Sequence, residues 1–313
     1  MISVLGAGVA GLCAATSLAR AGLPVEVILP TDAPPAVSAL AGGMLAPFCE
    51  GEDAPDLVVT RGAAALDWWS RYTPVTRRGT LVLAPPRDSA ELDRFARATT
   101  AHRWVEPAHL EPDLAGRFVR GLFFAREGHL DPGAALAALR QGLLSRGVHF
   151  RDRPSAGRGD KIVDCRGTAA ADLLPDLRSI RGEMLMIHAP DVTLTRPIRL
   201  IHPRFPCYVV PRGEGRYMIG ATMVETAQAG PITARAVMEL LAAAYAIHPA
   251  FAEARLIETG VGLRPSFPDN IPALRRVDGR VHMNGMHRHG FLMAPVLADE
   301  LAQMLTKETA DAD

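Results

Sequence analysis

The chain begins Met-Ile-Ser-Val-Leu and runs at once through Gly6-Ala7-Gly8-Val9-Ala10-Gly11 into a small-residue stretch that ends at Gly22. No other feature restricts the fold so tightly. Ile2, Val4 and Leu5 form the short apolar run of a strand buried on both faces. Leu12, Ala15 and Leu18 recur at helical spacing, and Gly22 stands where a helix C-cap favours positive φ. Val25-Glu26-Val27-Ile28-Leu29 reads as a second, parallel strand. In that setting Gly6 permits the tight turn, Gly8 lets backbone approach a pyrophosphate, and Gly11 lets helix pack on strand. The free N–H groups and dipole at the helix N-terminus suit phosphate, with Val9 and Ala10 in the same cradle. The stretch predicts dinucleotide binding; alone it does not choose between NAD and FAD. The competing reading, a signal peptide, lacks a basic n-region, and the glycines would break an h-region helix.

An acid that usually ends the second strand and bonds ribose is missing, because the strand runs out through Leu29-Pro30-Thr31-Asp32. Glu26 comes too early and is expected to face off the strand. Asp32 is the nearest candidate.

The 313 residues leave room for two modest domains, or one with a large insertion. With 34 basic and 34 acidic side chains, nothing in the charge calls for nucleic acid or an anionic membrane. Cys13, Cys49, Cys165 and Cys207 are scattered, so neither a zinc site nor a disulfide framework is indicated, and burial as small apolar residues is expected. No apolar run is long enough to span a bilayer, and the cytoplasm is the simplest location. A homo-oligomer is compatible with all of this.

Downstream, Ala39-Leu40-Ala41-Gly42-Gly43-Met44-Leu45-Ala46-Pro47 carries two adjacent glycines in an apolar setting, which would let backbone lie against a flat ligand. Residues 56–72 read as one helix with Trp68-Trp69 packed near its end, 79–84 as a strand, and 89–99 as a polar helix capped by Ser89. Residues 119–124 read as a strand. Asp131 caps a helix that starts at Pro132. Lys161 to Gly167 reads as a buried strand returning to the nucleotide sheet. A β-rich section follows, with strands at 181–187, 207–211 and 217–221 and a hairpin at 212–216. Residues 233–246 are helical, 255–264 and 281–284 are strands, 285–290 are a turn, and 291–306 form the last helix. The first turn and the last are expected to meet over one ligand, since ligands lie at the carboxyl ends of the strands.

The sequence resembles the glycine/D-amino-acid oxidase family of FAD-dependent oxidoreductases, and within it the glycine-oxidase branch. The likeness spans essentially the whole chain. It rests on the Gly6–Gly11 turn, Ala41-Gly42-Gly43-Met44-Leu45-Ala46, Asp164-Cys165-Arg166-Gly167, Arg181-Gly182-Glu183, Tyr208-Val209-Val210-Pro211, Ile219-Gly220-Ala221-Thr222-Met223, Gly262-Leu263-Arg264-Pro265 and Arg288-His289-Gly290-Phe291-Leu292-Met293-Ala294-Pro295. The resemblance implies an α/β fold: a Rossmann-like FAD-binding domain with an inserted α+β substrate domain on a mostly antiparallel sheet. The expected FAD-binding part is 1–75, 128–178 and 260–313, and the substrate part is 76–127 and 179–259. FAD is the implied cofactor, held by Gly6, Gly8, Val9, Ala10, Gly11, Asp32, Ala41, Gly42, Gly43, Met44, Gly167, His287, Arg288, His289, Gly290, Phe291 and Leu292. Arg264 matches the arginine that binds the substrate carboxylate, and Met44, Tyr208 and Arg288 match positions lining the pocket. His287 departs from the pattern, where an aromatic is common.

The implied reaction moves the Cα hydride of a small amino acid to flavin N5. The imine hydrolyses to glyoxylate and ammonia when the substrate is glycine, and oxygen is the acceptor. No dedicated catalytic acid or base is expected if the amine binds neutral. The requirement is an anchor that aims Cα–H, and a guanidinium holds a carboxylate bidentately. From the residues alone Arg264 reads as readily as a structural ion-pair partner, Tyr208 as packing, Arg288 as a solvated turn and Met44 as core. His287 and His289 lack a third ligand for a metal. His202 reads as structural. The alternatives are an oxidase or dehydrogenase for sarcosine, proline or a D-amino acid, a flavin-binding partner or sensor without turnover, and an NAD-binding module.

Overall fold

A computed structural model describes residues 1–33, 35–155, 161–201 and 207–311. His202 lies outside the described residues.

Ile2–Leu5, Val9–Arg20 and Val25–Ile28 form the strand, helix and parallel strand expected from the opening pattern. They sit in a six-stranded sheet with order Ala273–Val277, Arg280–Asn284, Lys161–Asp164, Ile2–Leu5, Val25–Ile28, His149–Arg151. All its pairings are parallel except that between Ala273–Val277 and Arg280–Asn284. The strand at 161–164 therefore returns to the nucleotide sheet, beside the first strand. The helices Val9–Arg20, Pro132–Ser145 and Gly290–Ala310 cover this sheet and supply much of one core cluster, including Leu12, Leu18, Leu139, Leu297 and Leu301. Glu26 does not turn away to solvent. It is buried, accepts from Ser3 Oγ at 2.8 Å and Ser155 Oγ at 2.5 Å, and pairs with Arg151 at 3.2 Å. A carboxylate so surrounded ties neighbouring segments together and is not offered to a ribose.

The second sheet has nine strands among the described residues. Near one edge Arg178–His188 is flanked by Arg255–Ser266 on one side and Arg216–Gly220 on the other, all antiparallel. Cys207–Pro211 follows, then Ile198–Leu200, and then Thr80–Leu83 in the sheet's one parallel pairing among the described residues. The boundary expected at 260 falls inside Arg255–Ser266, which pairs along its length with Arg178–His188. The helix Ala234–Ile247 buries Leu240 and Ala244 against one face of this sheet, where Leu185, Ile187, Val209 and Ile219 lie.

Two local expectations change. Residues 56–72 form two helices, Asp56–Gly62 and Ala65–Trp69. The break follows Gly62, a poor helix former placed where a Cβ would stand 3.3 Å from Leu292 Cβ. Ser89 precedes its helix in αR geometry, continuing from Pro86–Asp88, and makes no side-chain cap. Asp131 does cap, accepting from Ala134 N at 2.8 Å. All four cysteines are buried and free. Among the described residues no helix is long and apolar enough to cross a membrane.

Candidate active site

Strand register decides which side chains reach the space between the two sheets. Directly opposed residues share a sheet face. Arg199 opposes Tyr208, Tyr208 opposes Gly220, Gly220 opposes Met184, and Met184 opposes Gly260. On the same face of Arg178–His188, Gly182 opposes Gly262 and Ile180 opposes Arg264. The other face of that strand carries Leu185 and Ile187 into the helix-covered core. The pocket-side face thus carries Tyr208, Met184 and Arg264 among glycines. A slip of one residue would exchange the two sets.

The guanidinium of Arg264 lies over Gly182, where any Cβ would overlap it. Among the described residues it makes no hydrogen bond or ion pair. Burial lowers its pKa from 12.5 to about 10, with Tyr208 nearby in partial compensation. It remains a cation at neutral pH, aimed into the pocket.

Opposite stands the short helix Pro47–Glu50, which brings Glu50 to the pocket wall. Tyr208 Oη donates to Glu50 Oε1 at 3.1 Å, and Arg288 Nε stands 2.9 Å from Glu50 Oε2. Arg288 also contacts Asp53. Burial alone would raise the Glu50 carboxyl. Arg288, His289, Arg199 and the Tyr208 hydroxyl outweigh it and hold the pKa down at about 2. Burial holds His287 and His289 neutral, at about 3 and about 4. Beneath, Arg199 is fully buried and donates to Glu52 at 2.5 Å and to the Cys49 carbonyl at 3.1 Å. Glu127 accepts from Cys49 N at 2.7 Å and so secures the helix that carries Glu50.

The segment from Ala41 to Met44 passes along the same space. Arg212 donates to the carbonyls of Ala41 at 3.2 Å and Gly42 at 2.9 Å. Gly43 has φ +64°, bonds through its carbonyl to Leu130 N at 2.9 Å, and would overlap the Leu130 carbonyl if it carried a Cβ. Met44–Leu45 pairs with Gly128–His129. The last turn is pinned by His287 N donating to the Pro265 carbonyl at 2.7 Å, beside Arg264.

Of the residues expected from sequence, Val9, Ala41, Gly42, Gly43, Met44, Tyr208, Arg264, His287, Arg288, Gly290, Phe291 and Leu292 line one pocket. Gly6, Gly8, Ala10 and Gly11 lie at the adjoining first turn, and His289 is buried behind Glu50. Gly167 opens the 3-10 turn Gly167–Asp172 that follows the strand Lys161–Asp164, its carbonyl bonded by Asn284 Nδ2 at 2.9 Å. Asp32 is exposed in a turn and does not line the pocket. Sequence reasoning missed Glu50, Gly182 and Ser38. Glu50 had one available signal, an acid closing the apolar run Ala46-Pro47-Phe48-Cys49. Ser38 is met only in three dimensions, where its Oγ accepts from Val9 N at 3.1 Å.

The first and last turns meet as expected: a Cβ on Gly290 would stand 3.0 Å from Val9 Cγ1. Two helix N-termini, at Val9 and Gly290, therefore open on one space, and neither cap residue supplies a side-chain acceptor. Gly11 lies so close to the Gly6 carbonyl that a Cβ would overlap it, which keeps helix and strand in contact. Arg212 Nη1 is buried beside Gly42 without an acceptor. Paired helix N-termini and a buried unsatisfied donor suit a dinucleotide, and they fit FAD.

The family model described as FAD dependent oxidoreductase (DAO) matches residues 1–304. A protein of Rhizobium etli assigned as the thiamine biosynthesis oxidoreductase ThiO is 52% identical over 98% of this chain and 97% of its own. Glycine oxidase of Bacillus licheniformis is 26% identical over 96% of this chain and 92% of its own. The crystal structure of iminodiacetate oxidase from Chelativorans sp. BNC1 superposes with a TM-score of 0.83 at 25% identity, covering 98% of this chain and 95% of that one. The chain belongs to the DAO family of FAD-dependent oxidoreductases, and FAD is its cofactor.

Proposed function

We propose that the protein oxidises glycine or another small α-amino acid, and that it serves the making of the thiamine thiazole. The observation that carries the reading is the Arg264 guanidinium over Gly182, unpaired among the described residues, with Tyr208 beside it and Ala41–Met44 in the same pocket. A partly desolvated cation that meets no partner among the described residues is costly unless a ligand supplies the counter-charge, and a carboxylate is the group a guanidinium grips in two places. Likeness to the Rhizobium etli and Bacillus licheniformis proteins supports the substrate class.

In this reading the chain's residues position and enclose. Arg264 takes the carboxylate and fixes the direction of Cα. Met44 and Tyr208 form the walls, Arg288 braces the wall through Glu50, and the buried neutral His287 and His289 add no competing cation. FAD supplies the two-electron acceptor, with oxygen as the final acceptor, giving hydrogen peroxide. The imine leaves and hydrolyses, to glyoxylate and ammonia in the case of glycine. Gly6, Gly8, Val9, Ala10 and Gly11 would hold the pyrophosphate. Ala41 to Met44, Gly167 and the stretch His287 to Leu292 would hold the flavin, and Asp32 remains the candidate for the ribose. The FAD-binding part would comprise 1–75, 128–178 and the chain beyond Ser266, with 76–127 and 179–266 forming the substrate part.

A second reading, a secondary amine such as sarcosine, draws support from the likeness to iminodiacetate oxidase. Anaerobic titration of the flavin-replete protein with glycine, sarcosine and D-alanine tests both. Bleaching by glycine at the lowest concentration supports the first reading, and a flavin that no amino or N-methylamino acid bleaches refutes both.

A further inference from the structure

Counting charges around the pocket separates two arginines that the sequence places on equal footing. Arg264 meets no carboxylate among the described residues. Arg288 meets two, Glu50 at 2.9 Å and Asp53. Arg199 is engaged by Glu52 at 2.5 Å. Arg181, behind Gly182, is engaged by Glu183 at 2.9 Å. Of these four, Arg264 is the cation left for an incoming anion among the described residues. The carboxylate that satisfies Arg288 is itself part of the wall, its side chain 10% exposed, held by the Tyr208 hydroxyl on one oxygen and by Arg288 on the other. Glu50 and Arg288 both line the pocket, so a ligand reaching past Tyr208 toward Arg288 meets a carboxylate beside the guanidinium.

We propose that Glu50 sets the substrate class: by occupying Arg288 and presenting its own charge at the pocket wall, it restricts the site to amino acids with one carboxylate. Amines bearing a second anionic group are turned away. This rests on the reading that Arg264 grips the substrate carboxylate. The discrimination is repulsive as well as attractive. Like charges a few ångströms apart in a partly desolvated site oppose binding strongly, and removal of one changes the preference between two ligands that otherwise share every contact. In Glu50→Gln the amide keeps the Tyr208 contact and removes the charge. Arg288 would then retain only Asp53, which is 47% exposed and well solvated, and would be available to a second carboxylate.

The test compares glycine with iminodiacetate, which adds a second carboxymethyl group to the same amine, in the wild type and Glu50→Gln holoenzymes. The ratio of kcat/KM for iminodiacetate over glycine is expected to rise by about tenfold or more in the variant. It should fall back toward the wild-type ratio in Glu50→Gln/Arg288→Gln, where the freed cation is gone. A binding measurement stands beside turnover. Acetate and malonate are titrated against the oxidised holoenzyme, reading the perturbation of flavin absorbance. Wild type should favour acetate, and Glu50→Gln should move the malonate-to-acetate preference by about the same factor. A substrate ratio and an anion preference both unmoved by Glu50→Gln overturn the proposal. So does a wild-type protein that already binds malonate as tightly as acetate, an outcome that needs no variant to fold. If neither glycine turns over nor acetate binds, the reading of Arg264 fails instead; if glycine turns over and only the ratio is flat, the role of Glu50 alone fails.

Discussion

Replacing Arg264 with methionine should strengthen the protein while crippling it. In the absence of substrate the side chain is partly buried at the pocket wall and has no hydrogen-bond or ion-pair partner among the described residues, and desolvation lowers its pKa from 12.5 to about 10. At about 1.4 kcal/mol per pKa unit this corresponds to about 3 kcal/mol of desolvation cost. Both the folded and the unfolded pKa lie well above 7. The group is charged in both states at neutral pH, and the cost is present in full. Methionine has similar reach, carries no charge, and can lie over the same Gly182 backbone. The variant is therefore expected to be more stable than the parent, by about 3 kcal/mol at most, a rise of several degrees in Tm for a chain of this size. The effect on substrate runs the other way. Loss of one partner from a buried guanidinium–carboxylate pair costs about 3–5 kcal/mol, a rise of about 10²- to 10⁴-fold in the KM for glycine. Thermal unfolding at equal FAD without amino acid, set beside steady-state kinetics, reads both quantities. A lower Tm would make Arg264 a structural residue, and an unchanged KM would remove it from the substrate; either result refutes the reasoning.

Gly182→Ala should shift the Arg264 guanidinium without removing it, since the added methyl overlaps only the end of a flexible side chain. The KM for glycine is expected to rise by about tenfold while flavin content and Tm hold nearly constant, which kinetics and absorbance check together. Glu127 supplies a pH test. Burial raises its carboxyl from 4.5 to about 8, so the folded state keeps a proton that the unfolded state has already lost. Its contribution is fully present below pH 4.5 and is lost as pH rises through 8. Glu127→Gln should therefore gain stability relative to wild type between pH 5 and pH 9, by about 5 kcal/mol at most, as read by urea unfolding at the two pH values. Glu50 has the opposite sign: its folded pKa is held at about 2, so its contribution is present above 4.5 and disappears as pH falls through 2.

The nucleotide half was legible because its signals are local. Strand, Gly-rich turn and helix occupy consecutive residues at the start, and Asp131-Pro132 announces a helix by capping chemistry alone. Short strands such as His149–Arg151, Ile198–Leu200 and Ala273–Val277 were not read. They take their conformation from neighbours on the sheet, and three to five residues carry too little periodicity to declare themselves. The family motifs name Arg264, Arg288, Tyr208 and Met44, which line one pocket, yet motifs hold no account of charge. That Arg288 is occupied, while Arg264 has no partner among the described residues, depends on Glu50 and Asp53, and Glu50 rides on a short helix at 47–50 that is bonded to Glu127. Nothing in the spacing of these residues along the chain encodes that meeting.

The strand Arg178–His188 divides its labour by parity. Even positions such as Gly182 and Met184 look onto the pocket, while Leu185 and Ile187 are locked under the helix Ala234–Ile247. Selection can therefore rewrite the pocket-facing half of this strand, one residue in two, while the other half holds the sheet to its helix. A scaffold partitioned in this way can change the amine it accepts without first having to survive a loss of fold.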